Sequence, residues 1–182
     1  MPLNRSLRRI LPAFFAIASA SSSGFTQSNE SFNCDASNGG VQEFETPVSP
    51  RAHVVRGRMV FESRDFTGND IPSAHIAFGD SASPPDPEHC RCKGIRAQIF
   101  PDEPNTVKFY MVSNGHAVGM AQGPVGTPIT FAFVIDQGGV MTASIGRTNR
   151  VTKSAKLSNP RRDRVHVTCS SAEVRFLDLH ME

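Results

Sequence analysis

The sequence predicts an all-β protein, an antiparallel β-sandwich stapled by disulfides. Three observations predict it. Short runs with period-two apolar alternation recur along the chain, clusters of turn-forming residues separate them, and four cysteines accompany an N-terminus of export type. No window of a dozen residues carries an apolar stripe at helical spacing.

The first twenty residues read as a signal peptide rather than as part of the fold. Arg5, Arg8 and Arg9 make a basic start, ILPAFFAIASA (10–20) is an apolar run, and Ala18-Ser19-Ala20 supplies small residues for cleavage. A membrane span needs about 20 apolar residues, so this run is too short to be one. Export to the periplasm or the outside is the expected destination, with no membrane span left in the mature chain. Three of the 19 basic residues and none of the 17 acidic ones precede the cut, which leaves 16 against 17 and a net charge of −1. A nucleic-acid partner is not expected, because that function needs concentrated positive charge. Only Arg161, Arg162 and Arg164 cluster, and Asp163 sits among them.

Residues 21–40, rich in Ser, Asn and Gly, read as a flexible lead-in, and 41–182 as one domain. Strands are predicted near 53–62, 74–79, 94–100, 106–113, 129–136, 139–146, 164–169 and 172–180. Thr67-Gly68-Asn69-Asp70, Pro84-Pro85-Asp86-Pro87, Pro101-Asp102-Glu103-Pro104, Gly123-Pro124 and Ser158-Asn159-Pro160 punctuate them. Gln137-Gly138 between two strands signals a hairpin. The last strand loses phase between Phe176 and Leu177, the mark of a bulge or of two buried faces. With no Trp, one Tyr and 13 Phe, the interior must be filled largely by phenylalanine.

Cys34, Cys90, Cys92 and Cys169 are an even set in an exported chain, which favours disulfides. Residues i and i+2 of a strand stand about 6.6 Å apart, whereas a disulfide needs Cβ atoms within about 3.5–4.5 Å. Pairing Cys90 with Cys92 therefore requires a tight bend. The expected sets are Cys34–Cys90 with Cys92–Cys169, or Cys34–Cys92 with Cys90–Cys169. A metal site on His89, Cys90 and Cys92 is disfavoured, since structural zinc sites use wider cysteine spacing and a fourth ligand.

The alternation assigns faces. Ile95, Ala97 and Ile99 oppose Arg96 and Gln98; Val107, Phe109 and Met111 oppose Lys108 and Tyr110; Val55, Met59 and Phe61 oppose Arg56, Arg58 and Glu62. If these strands are neighbours, Arg56, Arg58, Arg96, Gln98, Lys108 and Tyr110 line one polar sheet face. Such a face suits an acidic polysaccharide or oligosaccharide, held by charge pairing and hydrogen bonds. An ordinary solvated sheet has the same pattern.

Three segments, IRAQIF (95–100), VKFYMV (107–112) and ITFAFVIDQGGVMTASIG (129–146), resemble the jelly roll of concanavalin-like lectins and glucanases. The alginate-lyase branch is the nearest likeness, and AEVRFLDLHM (172–181) resembles the closing strand of such sandwiches. The resemblance implies a jelly-roll fold and a polysaccharide ligand. In that branch an Arg and a Gln neutralise a uronate carboxylate while a His and a Tyr handle protons. Gln98 matches the Gln of the Gln-Ile-His motif, but Phe100 stands at the histidine. RGRMVFE (56–62) echoes the Arg-x-Glu-x-Arg strand only through Arg56, Arg58 and Glu62. The Tyr-Phe-Lys-Ala-Gly motif is replaced by RVHVTCSS (164–171), and the glucanase pattern Glu-x-Asp-x-x-Glu is absent.

The sequence thus predicts a non-catalytic, carbohydrate-binding sandwich. An enzyme of this fold, a polysaccharide lyase or other glycan-cleaving enzyme, would draw on Gln98, Tyr110, His116 and Arg58, with His116 in a loop over the sheet. A third reading is an envelope or periplasmic interaction domain with no sugar site. No Gly-x-Ser-x-Gly, P-loop, His-Glu-x-x-His or EF-hand pattern occurs. No cofactor and no functional metal are expected, although FTGND (66–70) and PPDPEH (84–89) carry loop carboxylates of the kind that hold a structural calcium.

Overall fold

The computed structural model describes residues 30–36, 40–48, 53–66, 71–79, 92–113, 115–152 and 164–182. They form twelve strands: β1 Glu30–Asp35, β2 Val41–Pro47, β3 Val54–Arg64, β4 Ser73–Gly79, β5 Cys92–Ile99, β6 Thr106–Ser113, β7 His116–Pro124, β8 Ile129–Ile135, β9 Met141–Ile145, β10 Thr148–Thr152, β11 Arg164–Ser170 and β12 Ala172–Met181. Sheet A runs β1-β12-β3-β8-β9-β10 and sheet B runs β2-β11-β4-β5-β6-β7, with antiparallel pairing throughout. This is the predicted all-β sandwich. The eight strands read from alternation are present, and four more join them.

The additional strands correct the reading of three segments. Glu30–Asp35, inside the expected lead-in, is β1 and pairs with β12. Val41–Pro47 is an edge strand on β11, and its alternately exposed residues gave little apolar signal. His116 begins strand β7 rather than sitting in a loop over the sheet. The fourth, β10, is a five-residue edge strand. The signal peptide of 1–20 and the two acidic loop stretches, 67–70 and 84–89, lie outside the described residues.

Between the sheets the apolar faces meet. Phe61, Phe78, Phe109, Phe133 and Phe176 are fully buried among Ile76, Ile95, Ile99 and Ile135, and the rings of Phe78 and Phe133 meet edge to face at 5.7 Å. The interior is phenylalanine-rich, as the composition required. One buried cation interrupts it. Lys93 shares the inward parity of Ile95, is fully buried, and its ammonium donates to the carbonyl of Gly139 in the β8–β9 turn. A buried ammonium needs such an acceptor, so this contact ties sheet B to the hairpin of sheet A. The hairpin itself turns through Gly139 at φ 78°, with Asp136 accepting from the Val140 amide at 2.8 Å.

The disulfide pairing differs from both expected sets. Cys34 of β1 is bonded to Cys169 of β11, with Cα atoms 6.2 Å apart and a sequence separation of 135. Both cysteines face the core, one from each sheet, so the bond is a strap across the sandwich. Linear strand spacing misled the prediction: β1 and β11 are distant in sequence but stacked in space. Cys92 is also disulfide-bonded, and no described cysteine is free. Cys90 lies outside the described residues.

Candidate ligand-binding face

The six predicted ligand residues do not share one face. Arg56 and Arg58 project from β3 in sheet A, whereas Arg96 and Gln98 on β5 and Lys108 and Tyr110 on β6 project from sheet B. Each group lies on the side opposite its strand's core residues, so the two groups occupy opposite outer faces of the sandwich. The common wall expected from alternation is therefore two walls.

Sheet B brings four of the six together, and its register shows how closely. Arg96 is paired with Tyr110 and Gln98 with Lys108. Directly paired residues place their Cβ atoms about 4.5–5.5 Å apart. The rows continue across the sheet. Thr168, His75, Arg96, Tyr110 and Gly119 form one, and Ser170, Ser73, Gln98, Lys108 and Gln122 the next. At the β7 end the register slips between Phe109 and Tyr110, so that Ala121 and Gly119 are their partners and Met120 turns into the core. This bulge accompanies a depression of about 340 Å³ lined by Lys108, Tyr110, Gly119 and Gln122 among others. A Cβ at Gly119 would stand 3.9 Å from the Tyr110 ring. Glycine there leaves the ring's flank open.

The charges on this face are unequal. Lys108 is compensated: its ammonium lies 2.9 Å from Glu103 and 5.2 Å from the centroid of the Phe100 ring. The Glu103 contact raises its pKa above the usual lysine value. Arg96 is half-buried and has no carboxylate partner among the described residues. Burial pulls its pKa below the ordinary arginine value, with Tyr110 acting the other way, yet a guanidinium stays charged in proteins. His75, next in the row, is pushed down to about 3 by burial, then by the charges of Arg96 and His166. It is a neutral imidazole at ordinary pH, its Nε2 3.8 Å from the Cys92 sulfur. His166 Nδ1 is buried without a hydrogen bond among the described residues, 3.5 Å from a Glu43 carboxylate oxygen. Sequence reasoning missed His75 and His166. The signal was present, since each is the polar alternate of an apolar strand, but only strand order sets them beside Arg96.

Sheet A treats its arginines differently. Arg56 bonds Glu182 at 3.0 Å, and Arg58 bonds Asp178 through Nε at 2.9 Å and through a second, closer nitrogen. The four candidate lyase residues do not converge. Gln98 and Tyr110 share the outer face of sheet B, Arg58 belongs to sheet A, and His116 is paired with Ser113, on the parity of Met111 rather than of Tyr110.

No family model matches the sequence, and no curated protein matches it. Solved structures match at the level of fold. The carbohydrate recognition domain of Emp46p in its metal-free form is 12% identical, with 83% of this chain and 81% of that one covered and a TM-score of 0.50. Scytalido-glutamic peptidase, bound to a peptide-based transition-state analogue, is 9% identical over 73% of this chain and 65% of that one, at 0.52. The shared fold is a two-sheet antiparallel jelly-roll sandwich. An alginate lyase of Pseudomonas aeruginosa is also among the matches, 10% identical over 73% of this chain and 65% of that one, with a TM-score of 0.48. At these identities the likeness is one of architecture, and the same architecture carries unrelated activities.

Proposed function

We propose that this jelly roll is an exported binding module that holds an acidic glycan on the outer face of sheet B without cleaving it. The observation that carries the reading is Arg96, a half-buried guanidinium with no carboxylate partner among the described residues, flanked by Tyr110 and two strand positions from Gln98 on the same face. A desolvated cation without a counter-ion gains most from an anionic ligand, and a guanidinium binds a carboxylate or sulfate through two parallel hydrogen bonds. Gln98 and Lys108 supply further polar contacts, and the open flank of Tyr110 offers one ring for a sugar to rest on. A disulfide strap suits an oxidising compartment. Among the described residues no helix is long and apolar enough to cross a membrane.

Proton chemistry at the histidine of this face supports a reading without cleavage. Eliminating across a uronate needs a base for the C5 proton, with a pKa near working pH. His75 stands beside Arg96, but with its pKa near 3 it is a poor base. The test is titration of the protein with alginate, pectate and hyaluronan hexasaccharides by calorimetry, with unsaturated uronate absorbance followed in parallel. Saturable binding that is lost in Arg96→Ala, with flat absorbance, is the expected result. Rising absorbance would make the protein a lyase. No binding to any of the three would leave it an interaction domain with no acidic-sugar site.

A further inference from the structure

We propose a second binding site on the outer face of sheet A, for a neutral, hydroxyl-rich ligand of the class of an uncharged oligosaccharide. It sits on the opposite side of the sandwich from Arg96, so it stands or falls independently of the acidic-glycan site. Three observations meet there.

The first is a depression of about 340 Å³ centred on β3 and β8, with Arg56, Arg58, Thr130, Ala132, Ser144 and His180 on its wall. Its floor follows one register row, His180, Arg56, Ala132 and Ser144, across β12, β3, β8 and β9. Small side chains in the middle of that row keep the face low, and Thr130 and Ser144 place hydroxyls on it.

The second is the bulge in β12. Leu177 is paired with Arg58 and His180 with Arg56, so Asp178 and Leu179 stand against Gly57 alone. Asp178 takes φ 51°, a left-handed conformation uncommon for a residue with a Cβ. Gly57 makes the bulge possible, because a Cβ there would lie 2.7 Å from Leu179 Cδ2 and 3.0 Å from the Leu177 carbonyl. The distortion carries the Asp178 carboxylate to the Arg58 guanidinium at the rim of the depression. Bulges of this kind commonly re-aim a side chain at a functional site.

The third is His180 Nδ1, which is buried and has no hydrogen-bond partner among the described residues. A buried ring nitrogen left unpaired is costly, and this residue lines the depression. Nδ1 is closed to solvent as the ring stands, so a ligand hydroxyl, which both donates and accepts, pairs with it once the ring turns toward the depression.

Charge decides the ligand class. Both arginines are matched by carboxylates, Arg56 by Glu182 and Arg58 by Asp178. An anion entering here meets Asp178 and Glu182 beside each guanidinium and gains little. Neighbouring hydroxyls of a sugar instead accept from guanidinium nitrogens and donate to carboxylate oxygens. The alternating donors and acceptors of two arginine–carboxylate pairs match that pattern.

The experiment is a titration of the whole protein, labelled at alanine methyls and at histidine and tyrosine rings, followed by NMR with cellohexaose, maltohexaose and mannohexaose in turn. Saturable shifts of Ala132 and His180 with at least one of them, with the Tyr110 signals unmoved, are expected. Ser144→Tyr and the exposed Thr130→Tyr each fill the depression from its surface, and each is expected to weaken that binding by about tenfold or more, the equivalent of one or two lost hydrogen bonds. Silence at Ala132 and His180 with all three sugars overturns the proposal. So does a response there to a hexauronate alone, or binding that survives both substitutions.

Discussion

Arg96 and Tyr110 face each other directly across the β5–β6 register, with His75 on the far side of Arg96 in the same row. The guanidinium is thus hemmed in by an aromatic ring and a neutral imidazole, and no carboxylate among the described residues offsets it. Its planar fork rather than its charge alone makes the site selective. Arg96→Lys keeps the charge and loses the fork, and is expected to weaken binding of an acidic hexasaccharide by roughly tenfold, against roughly a hundredfold for Arg96→Ala. Isothermal titration at low and moderate salt checks this. Equal losses for the two variants would show that only net charge matters at this position.

The Cys34–Cys169 bond joins the two sheets through the core and closes a loop 135 residues long. Loops of that length lose much unfolded-state entropy on cross-linking, and removing such a native disulfide costs about 2–5 kcal/mol. The double variant Cys34→Ala/Cys169→Ala is expected to show a urea midpoint lowered to match, with an unchanged β-rich circular dichroism spectrum at low denaturant. A midpoint equal to that of the parent would mean that the strap contributes nothing to stability.

The parity of each strand was legible in the sequence, and its sheet was not. Arg56 and Arg58 alternate with apolar residues just as Arg96 and Gln98 do, so local pattern cannot separate them. Their separation comes from β3 pairing with β12 and β4 pairing with β11, contacts such as Arg58 with Leu177 and His75 with Thr168. Both join residues far apart in the chain. The phase slip after Phe176 did announce the bulge of β12, because a change of alternation has a local cause. β1 was hidden for the opposite reason: only Phe32 and Cys34 turn apolar sides inward within ESFNCD, too few for a periodic signal. β7 was masked by its glycines, Gly119 and Gly123, which belong to a bulged edge.

At Gly94 the packing of β5 against β4 leaves no room for a side chain. A Cβ added there would lie 2.0 Å from the Ile76 carbonyl oxygen and 2.5 Å from Ala77 Cα. These are backbone atoms, so no side-chain rotation relieves the clash. Gly94→Ala is expected to destabilise the protein by about 3 kcal/mol or more, the range of severe core overpacking. Thermal unfolding measures it. The Arg96 row lies only two residues along β5, so a folded Gly94→Ala protein is expected to bind acidic glycan more weakly as well. A stability loss below about 1 kcal/mol, the ordinary range of surface substitutions, would place the two strands further apart than the structure has them.

His75 makes stability depend on pH in a direction that can be worked out. Burial, then Arg96, then His166 lower its pKa from 6.5 to about 3 in the fold. Among the described residues no negative charge adjoins it: Arg96 flanks it on β5, Thr168 on β11, the charge of His166 also opposes its protonation, and the disulfide-bonded Cys92 approaches its ring. Above pH 6.5 the imidazole is neutral in both folded and unfolded chains, and its contribution is constant. As pH falls from 6.5 toward 3, the unfolded chain takes up a proton that the fold refuses. Stability is then lost at a limiting slope of about 1.4 kcal/mol per pH unit. Carboxylates add slopes of their own, so the quantity to read is the difference between the parent and His75→Gln in urea unfolding across that window. The parent is expected to lose stability more steeply than His75→Gln. Parallel curves would mean that the fold accepts a proton at His75 as readily as the unfolded chain does, and Arg96 would then have a second cation beside it at mildly acidic pH.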